Sequence, residues 1–187
     1  MRMRFLAIAL AVVLAGCSTW SGNGDNSYGV FHGEATASLA KGFSLKAEDR
    51  LMVQFIAEEY REERLLELTV RELLCSRGID SLALTDIYSS EIVDGDRTAI
   101  TYAVRDAEPD YIVDITLTVS EEFPGGGLSR RDYLVKVKSL WSSREVMSLY
   151  ISVQAERDEA RSLDETLVPV ARSFAKTLAN ELMVLYR

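Results

Sequence analysis

The chain has 187 residues, of which 48% are hydrophobic and only three are proline, so it is long enough to bury the core of one domain. It carries 21 Lys and Arg side chains against 29 Asp and Glu, a formal net charge of −8. Nucleic-acid-binding domains show a basic surface, and anionic lipid headgroups repel acidic proteins, so the charge disfavours both kinds of partner.

The first 16 residues are typical of a secretory signal peptide. Arg2 and Arg4 precede an apolar run, Phe5–Leu14, of ten residues. A helix that crosses the hydrocarbon of a membrane needs about 20 apolar residues, so this run is too short for a span. A basic start, a short apolar stretch and small residues before a cleavage point define an export signal. Removal of residues 1–16 takes away two basic residues and no acidic ones, which brings the net charge to −10.

The end of this segment, Leu14-Ala15-Gly16-Cys17, resembles the lipobox of bacterial lipoproteins. The resemblance implies cleavage between Gly16 and Cys17, followed by a Cys17 that carries acyl chains such as palmitate on its sulfur and its amine. Several acyl chains hold a protein stably on a membrane, whereas one chain binds only marginally. Ser18 and Thr19 follow, where an Asp favours the inner membrane in this family. The resemblance therefore implies a lipid anchor on the periplasmic face of the outer membrane.

The residues after Cys17 are predicted to form a tether. Residues 18–29 (STWSGNGDNSYG) are rich in Ser, Gly and Asn, which favour flexible chain. We therefore predict a lipidated cysteine with a flexible linker over residues 17–49 and one folded domain over residues 50–187. Fully extended, about 30 residues of linker would reach on the order of 100 Å.

The first half of the predicted domain alternates strands and helices. Leu51–Ile56 and Ser81–Tyr88 have strand character and flank a helix over residues 60–77, which Gly78 ends. A shorter helix follows Asp94–Asp96 and ends at Pro109. The apolar residues of the two helices recur at helical spacing: Leu66, Val70, Leu73 and Leu74 in the first, and Ile100, Ala103, Val104 and Ala107 in the second.

The second half begins with three strands. Tyr111–Ser120 alternates apolar and polar residues, and the turn Pro124–Gly127 leads into Tyr133–Trp141. A second turn, Ser142–Glu145, leads into Val146–Val153. The last helix starts at a capping box of Ser162 and Glu165, and its apolar stripe is Val170, Ala171, Phe174, Leu178, Leu182 and Leu185.

The predicted fold class is α/β (mixed α+β): a single mixed sheet in the order β-α-β-α-β-β-β-α, with helices packed on it and an N-terminal flexible tether. Helical crossovers favour parallel pairing among the first three strands. Tight turns favour antiparallel pairing for the last strands.

Two stretches resemble a family of bacterial envelope domains. Asp110–Leu117 (DYIVDITL) and Tyr133–Val153 (YLVKVKSLWSSREVMSLYISV) are similar to a strand and a hairpin of that family, which includes the N-terminal domain of TolB, the curli secretion lipoprotein CsgG and the LpoB activator of peptidoglycan synthases. The resemblance covers residues 50–187 and implies an α/β fold with a role in the cell envelope. The turn Ser142–Glu145 departs from the family pattern, and no binding residue is carried over.

Catalytic or metal-binding residues are not predicted. His32 is the only histidine and falls in the predicted linker, which excludes a His-rich metal site and disfavours a His-based triad. The run Gly125–Gly127 joins two strands, whereas a phosphate-binding loop joins a strand to a helix. Glu62 and Glu63 open a helix, where negative charge is favoured by the helix dipole. We expect no enzyme activity, no cofactor and no metal.

Two other features are candidates for contacts with a partner. The hairpin tip, Gly125, Gly126 and Gly127 together with Arg130 and Arg131, is either a contact point or a plain solvated turn. Cys75 is a candidate free thiol, because a lipidated Cys17 leaves it without an intramolecular partner. It falls opposite Leu66, Val70 and Leu73 on its helix, so it either packs as a small hydrophobic residue or offers a thiol for an intermolecular disulfide.

The sequence thus predicts a non-catalytic outer-membrane lipoprotein whose periplasmic domain binds another envelope component: a protein of an assembly or secretion machinery, or a cell-wall synthase. The lipid would fix one end and raise the effective concentration of the domain near its partner. The alternative is a structural subunit that self-associates into an envelope secretion or transport complex. An envelope hydrolase is a third hypothesis.

Overall fold

The computed structural model describes residues 31–40, 42–55, 60–87, 97–155 and 162–186. Its six strands form one sheet in the order β1-β6-β5-β4-β2-β3, and its helices pack on that sheet. The strands are β1 (Phe31–Leu39), β2 (Leu51–Phe55), β3 (Ser81–Ala83), β4 (Tyr111–Glu122), β5 (Leu128–Ser139) and β6 (Glu145–Ala155). The helices are α1 (Tyr60–Ser76), α2 (Leu84–Ile87), α3 (Arg97–Asp106) and α4 (Leu163–Met183).

The strand directions agree with the prediction from connection length. β2 pairs in parallel with β3 and with β4, and the connections between these strands contain helices. β4, β5 and β6 pair antiparallel through two short turns. The mixed α/β fold with one mixed sheet is therefore confirmed.

The predicted strand over Ser81–Tyr88 is wrong beyond Ala83, because the chain turns into the short helix α2 there. The Glu67 carboxylate on α1 accepts the Thr85 peptide N–H at 2.8 Å, and Asp86 forms an ion pair with Arg71 of α1. Tertiary contacts to α1 thus override the strand propensity of this segment.

The predicted linker over residues 17–49 is also wrong in its second part. Phe31–Leu39 forms β1, which pairs antiparallel with β6 along its whole length. Further on, Leu45 is fully buried, and its N–H donates to the Leu185 carbonyl at 2.9 Å. The folded domain therefore starts at or before Phe31, and residues 17–30 of the predicted tether lie outside the described residues.

The main core lies between one face of the sheet and the helices α1 and α4. Phe55, Tyr133 and Phe174 meet at its centre, with ring centroids 6.2 Å apart for the first pair and 4.4 Å apart for the second. The predicted apolar stripe of α4 is buried here, and the capping box of Ser162 and Glu165 is confirmed.

The opposite face of the sheet is covered only in part by the described elements. A small apolar cluster of Met52 and Leu84, with Val104, Ala107 and Ile112 around it, lies under α2 and α3. This cluster covers β2, β3 and the start of β4. The rest of that side, on β4, β5, β6 and β1, is called the open face below.

Candidate functional site

The open face presents polar side chains in rows that run across four strands. The strand registers place residues side by side on this face. One row contains Asp114, Lys136, Ser148 and Ser38, and the next contains Thr116, Leu134, Tyr150 and Thr36. Hydroxyl groups are frequent in these rows. The aromatic side chain of Tyr150 is 40% exposed.

A hydrogen-bond network around Asp132 fixes the centre of this face. Arg130 binds the carboxylate of Asp132 with two N–H groups, Nε at 2.9 Å and Nη2 at 2.6 Å. The hydroxyl of Ser152 donates to the same carboxylate at 2.6 Å, and the phenol of Tyr150 donates to it as well. Asp132 has no exposed surface although it belongs to the open face, because these groups surround it.

The network sets the charge of Asp132. Burial by itself would raise the pKa of Asp132, but the hydrogen bonds from Arg130, Ser152 and Tyr150 outweigh it and lower the pKa below the usual 3.8. Asp132 therefore stays ionised at neutral pH and serves as an acceptor rather than a proton donor. The arrangement holds Tyr150 in place on an exposed surface, which suits it for contact with a partner.

The two arginines predicted at the hairpin tip do not act together. Arg131 points to the covered face, where it is buried and forms an ion pair with Glu62 of α1. A cavity of about 10 Å³ lies beside this pair, enough for one water molecule. Arg131 is therefore unavailable for surface contact, while Arg130 lies on the open face bound to Asp132.

The hairpin tip has a defined conformation. Gly126 and Gly127 have φ angles of +91° and +79°, which favour glycine over other residues. The Gly126 N–H donates to the Phe123 carbonyl at 2.9 Å. At the base of the tip, the Leu128 N–H donates to the hydroxyl of Thr166 on α4 at 3.1 Å. Partner contact by Gly125, Gly126, Gly127 and Arg130 stays a prediction.

Sequence reasoning missed a buried carboxylate, Glu67, which has no exposed surface. Its two oxygens accept the N–H groups of Phe55 at 2.7 Å and Thr85 at 2.8 Å, so it ties α1 to the end of β2 and the start of α2. Burial raises the pKa of Glu67 from 4.5 to about 7, although these two hydrogen bonds act against the rise. The available signal was its position between Leu66 and Val70, on the apolar side of the helix.

The structure places the remaining candidates as follows. Cys75 is half-buried, and its sulfur lies 3.7 Å from the Ser81 carbonyl oxygen and 3.4 Å from the Ser81 hydroxyl oxygen. Its use in an intermolecular disulfide stays a prediction. His32 lies exposed on β1 at the open face, not in a linker. Gly16 and Cys17 lie outside the described residues, so their predicted cleavage and lipidation stay predictions.

Three large apolar side chains are exposed near the ends of their elements. Leu39 ends β1, Trp141 lies in the turn between β5 and β6, and Val184 follows α4, with exposed fractions of 45%, 79% and 75%. These side chains provide apolar surface that a contact with another molecule would bury.

Among the helices that the structure describes, none has both the length and the apolar character needed to span a bilayer. Among all residues that the structure describes, no three His, Cys, Asp or Glu side chains are close enough together to hold a metal ion.

Solved structures share this fold, although no protein-family model and no curated protein matches the chain. The PelC dodecamer from Paraburkholderia phytofirmans matches in two crystal forms at 15% sequence identity, with TM-scores of 0.53 and 0.52. These matches cover 78% and 82% of this chain and 96% and 99% of PelC. Lipoprotein GNA1162 from Neisseria meningitidis matches at 11% identity with a TM-score of 0.42, covering 71% of this chain and 99% of that protein. The likeness to PelC shows a shared fold.

Proposed function

We propose that this chain is a lipid-anchored protein of the bacterial outer membrane that acts without catalysis, as a self-associating structural subunit of an envelope complex. The observation that carries the proposal is the likeness to PelC, which covers about four-fifths of the chain and concerns a protein that crystallises as a dodecamer. Two features of the sequence also support the proposal. The lipobox at Cys17 supplies a lipid anchor, and the mature chain is acidic, so the lipid rather than surface charge attaches it to the membrane.

The surface of the described domain supports a role in assembly. Leu39, Trp141 and Val184 expose large apolar side chains to solvent. Burial of apolar surface contributes about 25 cal/mol per Å² to association, so these side chains favour contact with a second protein surface.

A second candidate function is binding of a different envelope protein, such as a secretion component or a cell-wall synthase. The observation that favours it is the open face, where the Asp132 network holds Tyr150 among exposed hydroxyl groups. Exposed tyrosines are frequent anchors of protein interfaces, because they combine apolar area with a polar end.

Self-association is tested by the mass of the acylated mature protein in detergent, measured by light scattering during size-exclusion chromatography. We expect a protein mass of two or more copies at concentrations up to about 100 µM. A monomer over that whole range contradicts self-association. Crosslinking in intact cells, followed by identification of the captured protein, then decides whether the second candidate function replaces it.

The lipid anchor is tested by Cys17→Ala, with Cys75→Ala as the matched control at the other cysteine. We expect Cys17→Ala to lose labelling by a fatty-acid analogue and to leave the membrane fraction or remain unprocessed, because its attachment atom is absent. Cys75→Ala should behave as the unsubstituted protein does. A Cys17→Ala protein that is mature and membrane-bound would contradict the anchor.

A further inference from the structure

The two edges of the sheet differ in length. One edge is β3, which has three residues and runs directly into α2. The other edge is β1, which has nine residues and pairs with β6 on one side without a register shift. An edge strand carries backbone N–H and C=O groups that can pair with another strand, and proteins usually block such edges with Lys, Pro or bulges. The segment Phe31–Leu39 contains none of these.

The register identifies which backbone groups of β1 point outward. The Ala40 N–H donates to the Val146 carbonyl at 2.9 Å, in line with the register of β1 and β6. Inward and outward groups alternate along an antiparallel strand. Ser38 and Thr36 therefore pair with β6, whereas Ala35, Ala37 and Leu39 direct their N–H and C=O groups away from the sheet.

Among the residues that the structure describes, nothing covers the second half of this edge, whereas the first half is covered. At the first half, the carbonyl of Phe31 already accepts a hydrogen bond from the Ser173 hydroxyl at 3.1 Å. Gly33 lies so close to α4 that a Cβ there would be 2.1 Å from the Thr177 hydroxyl oxygen. Further along the strand, Ala37 is exposed and Leu39 is 45% exposed. The open stretch is therefore Ala35–Leu39, with Ala37 at its middle.

We infer that this open edge pairs with the same edge of a second copy of the chain, antiparallel about a two-fold axis at Ala37. The inference rests on the proposed self-association and gives it a surface. Two-fold pairing at Ala37 sets Ala35 of each copy opposite Leu39 of the other, so the exposed leucine packs on the neighbouring strand. Glu34 then falls opposite Ala40, so the two glutamates do not face each other. The two six-stranded sheets join into one.

The principal test is Ala37→Pro in the acylated mature protein, with Ala37→Ser as the matched control. Proline removes an outward N–H and is tolerated at edge positions that do not pair within the sheet. The substitution removes two symmetric hydrogen bonds. Each contributes roughly a factor of five to the dissociation constant, so we expect that constant to rise about twenty-fivefold. Ala37→Ser keeps the N–H and should associate as the unsubstituted protein does.

The outcomes separate this inference from the proposed function. If Ala37→Pro keeps its circular dichroism spectrum and still associates normally, edge pairing is overturned while self-association stands. If the unsubstituted protein is monomeric, both are overturned. A monomer that crosslinks to a different protein in cells, through a photoreactive residue at position 37, would assign the edge to that protein and overturn self-pairing.

A measurement without substitution covers the case in which Ala37→Pro fails to fold. Hydrogen exchange is followed in the unsubstituted oligomer at the amides of β1. Thr36 and Ser38 should exchange slowly in any case, because they pair with β6. Slow exchange at Ala35, Ala37 and Leu39 supports edge pairing, whereas rapid exchange at these three amides in the oligomer overturns it.

Discussion

The two faces of the sheet hold neighbouring arginines in opposite ways. Arg131 enters the covered face, where it is buried and pairs with Glu62 beside the aromatic core. Arg130 enters the open face, where it is partly exposed and binds Asp132 with two hydrogen bonds. On the covered face the charge pair joins β5 to α1. On the open face the pair orders an exposed surface. The covered face therefore carries stability, whereas the open face is the one that we propose for contact with a different envelope protein.

Two buried carboxylates sharpen this comparison. Glu67, on α1, accepts two peptide N–H groups, which is not enough to offset burial, and its pKa rises to about 7. Asp132 is also removed from solvent but faces a guanidinium and two hydroxyls, and its pKa falls below 3.8. The cationic partner makes the difference, since it stabilises the ionised form directly.

The largest effect is expected from Glu67. Because its pKa is higher in the folded than in the unfolded protein, its contribution to the free energy of unfolding is greatest below pH 4.5 and decreases as the pH rises to about 7. A rise from 4.5 to about 7 corresponds to about 3 kcal/mol. Urea unfolding at a series of pH values should show this decrease, and Glu67→Gln should remove it.

Two variants serve as controls for this decrease in the free energy of unfolding with pH. Glu72→Gln changes an exposed carboxylate on the same helix and should leave the decrease between pH 4.5 and 7 in place. Asp132→Asn should instead alter stability on the acid side, because the stabilisation from Asp132 is present above pH 4 and is lost as the pH falls through its lowered pKa. If Glu67→Gln still loses the same free energy of unfolding between pH 4.5 and 7, another group titrates in that pH range.

The next effect is expected at Gly33, where β1 packs against α4. A Cβ at this position would lie 2.1 Å from the Thr177 hydroxyl oxygen and 3.3 Å from the Ser173 carbonyl oxygen. We expect Gly33→Ala to lower the free energy of unfolding by about 1–3 kcal/mol, as overpacking does elsewhere. Urea unfolding at neutral pH measures the change.

The second variant for this site is the double substitution Gly33→Ala with Thr177→Ala. It removes the oxygen at 2.1 Å and leaves the Thr177 Cβ at 3.1 Å, so part of the lost stability should return. If Gly33→Ala is as stable as the unsubstituted protein, the close approach of α4 to β1 is not as the structure has it.

The sequence predicted the elements whose pattern is local. Val113 and Ile115 alternate with polar residues, and the stripe around Phe174 repeats at helical spacing, so β4 and α4 were found. β1 was missed because an edge strand under a close helix needs small residues at Gly33 and Ala35, and such residues are also typical of linkers. α2 was missed because it depends on a hydrogen bond that the Thr85 N–H donates to Glu67, which lies 18 residues earlier in the chain.

The candidate site was only partly predictable for the same reason. Strand alternation assigns Arg130 and Arg131 to opposite faces once the strand is known to begin at Leu128, but the strand was predicted to begin only at Tyr133. Asp132, Tyr150 and Ser152 are brought together by the register of β5 and β6, which local patterns do not fix.

The smallest effect is expected on the open face, from Tyr150→Phe. The substitution keeps the ring and removes one of the four donors to Asp132, while Arg130 and Ser152 remain. Because the phenol lies near solvent, we expect the urea midpoint to fall by less than in Gly33→Ala, with an unchanged denaturant slope. Tyr102→Phe, which removes the hydroxyl of an exposed tyrosine on α3, is the matched control and should not change the midpoint. A loss for Tyr150→Phe as large as that for Gly33→Ala would mean that the open face contributes to stability as the covered face does, and would end the distinction between a stabilising face and a contact face.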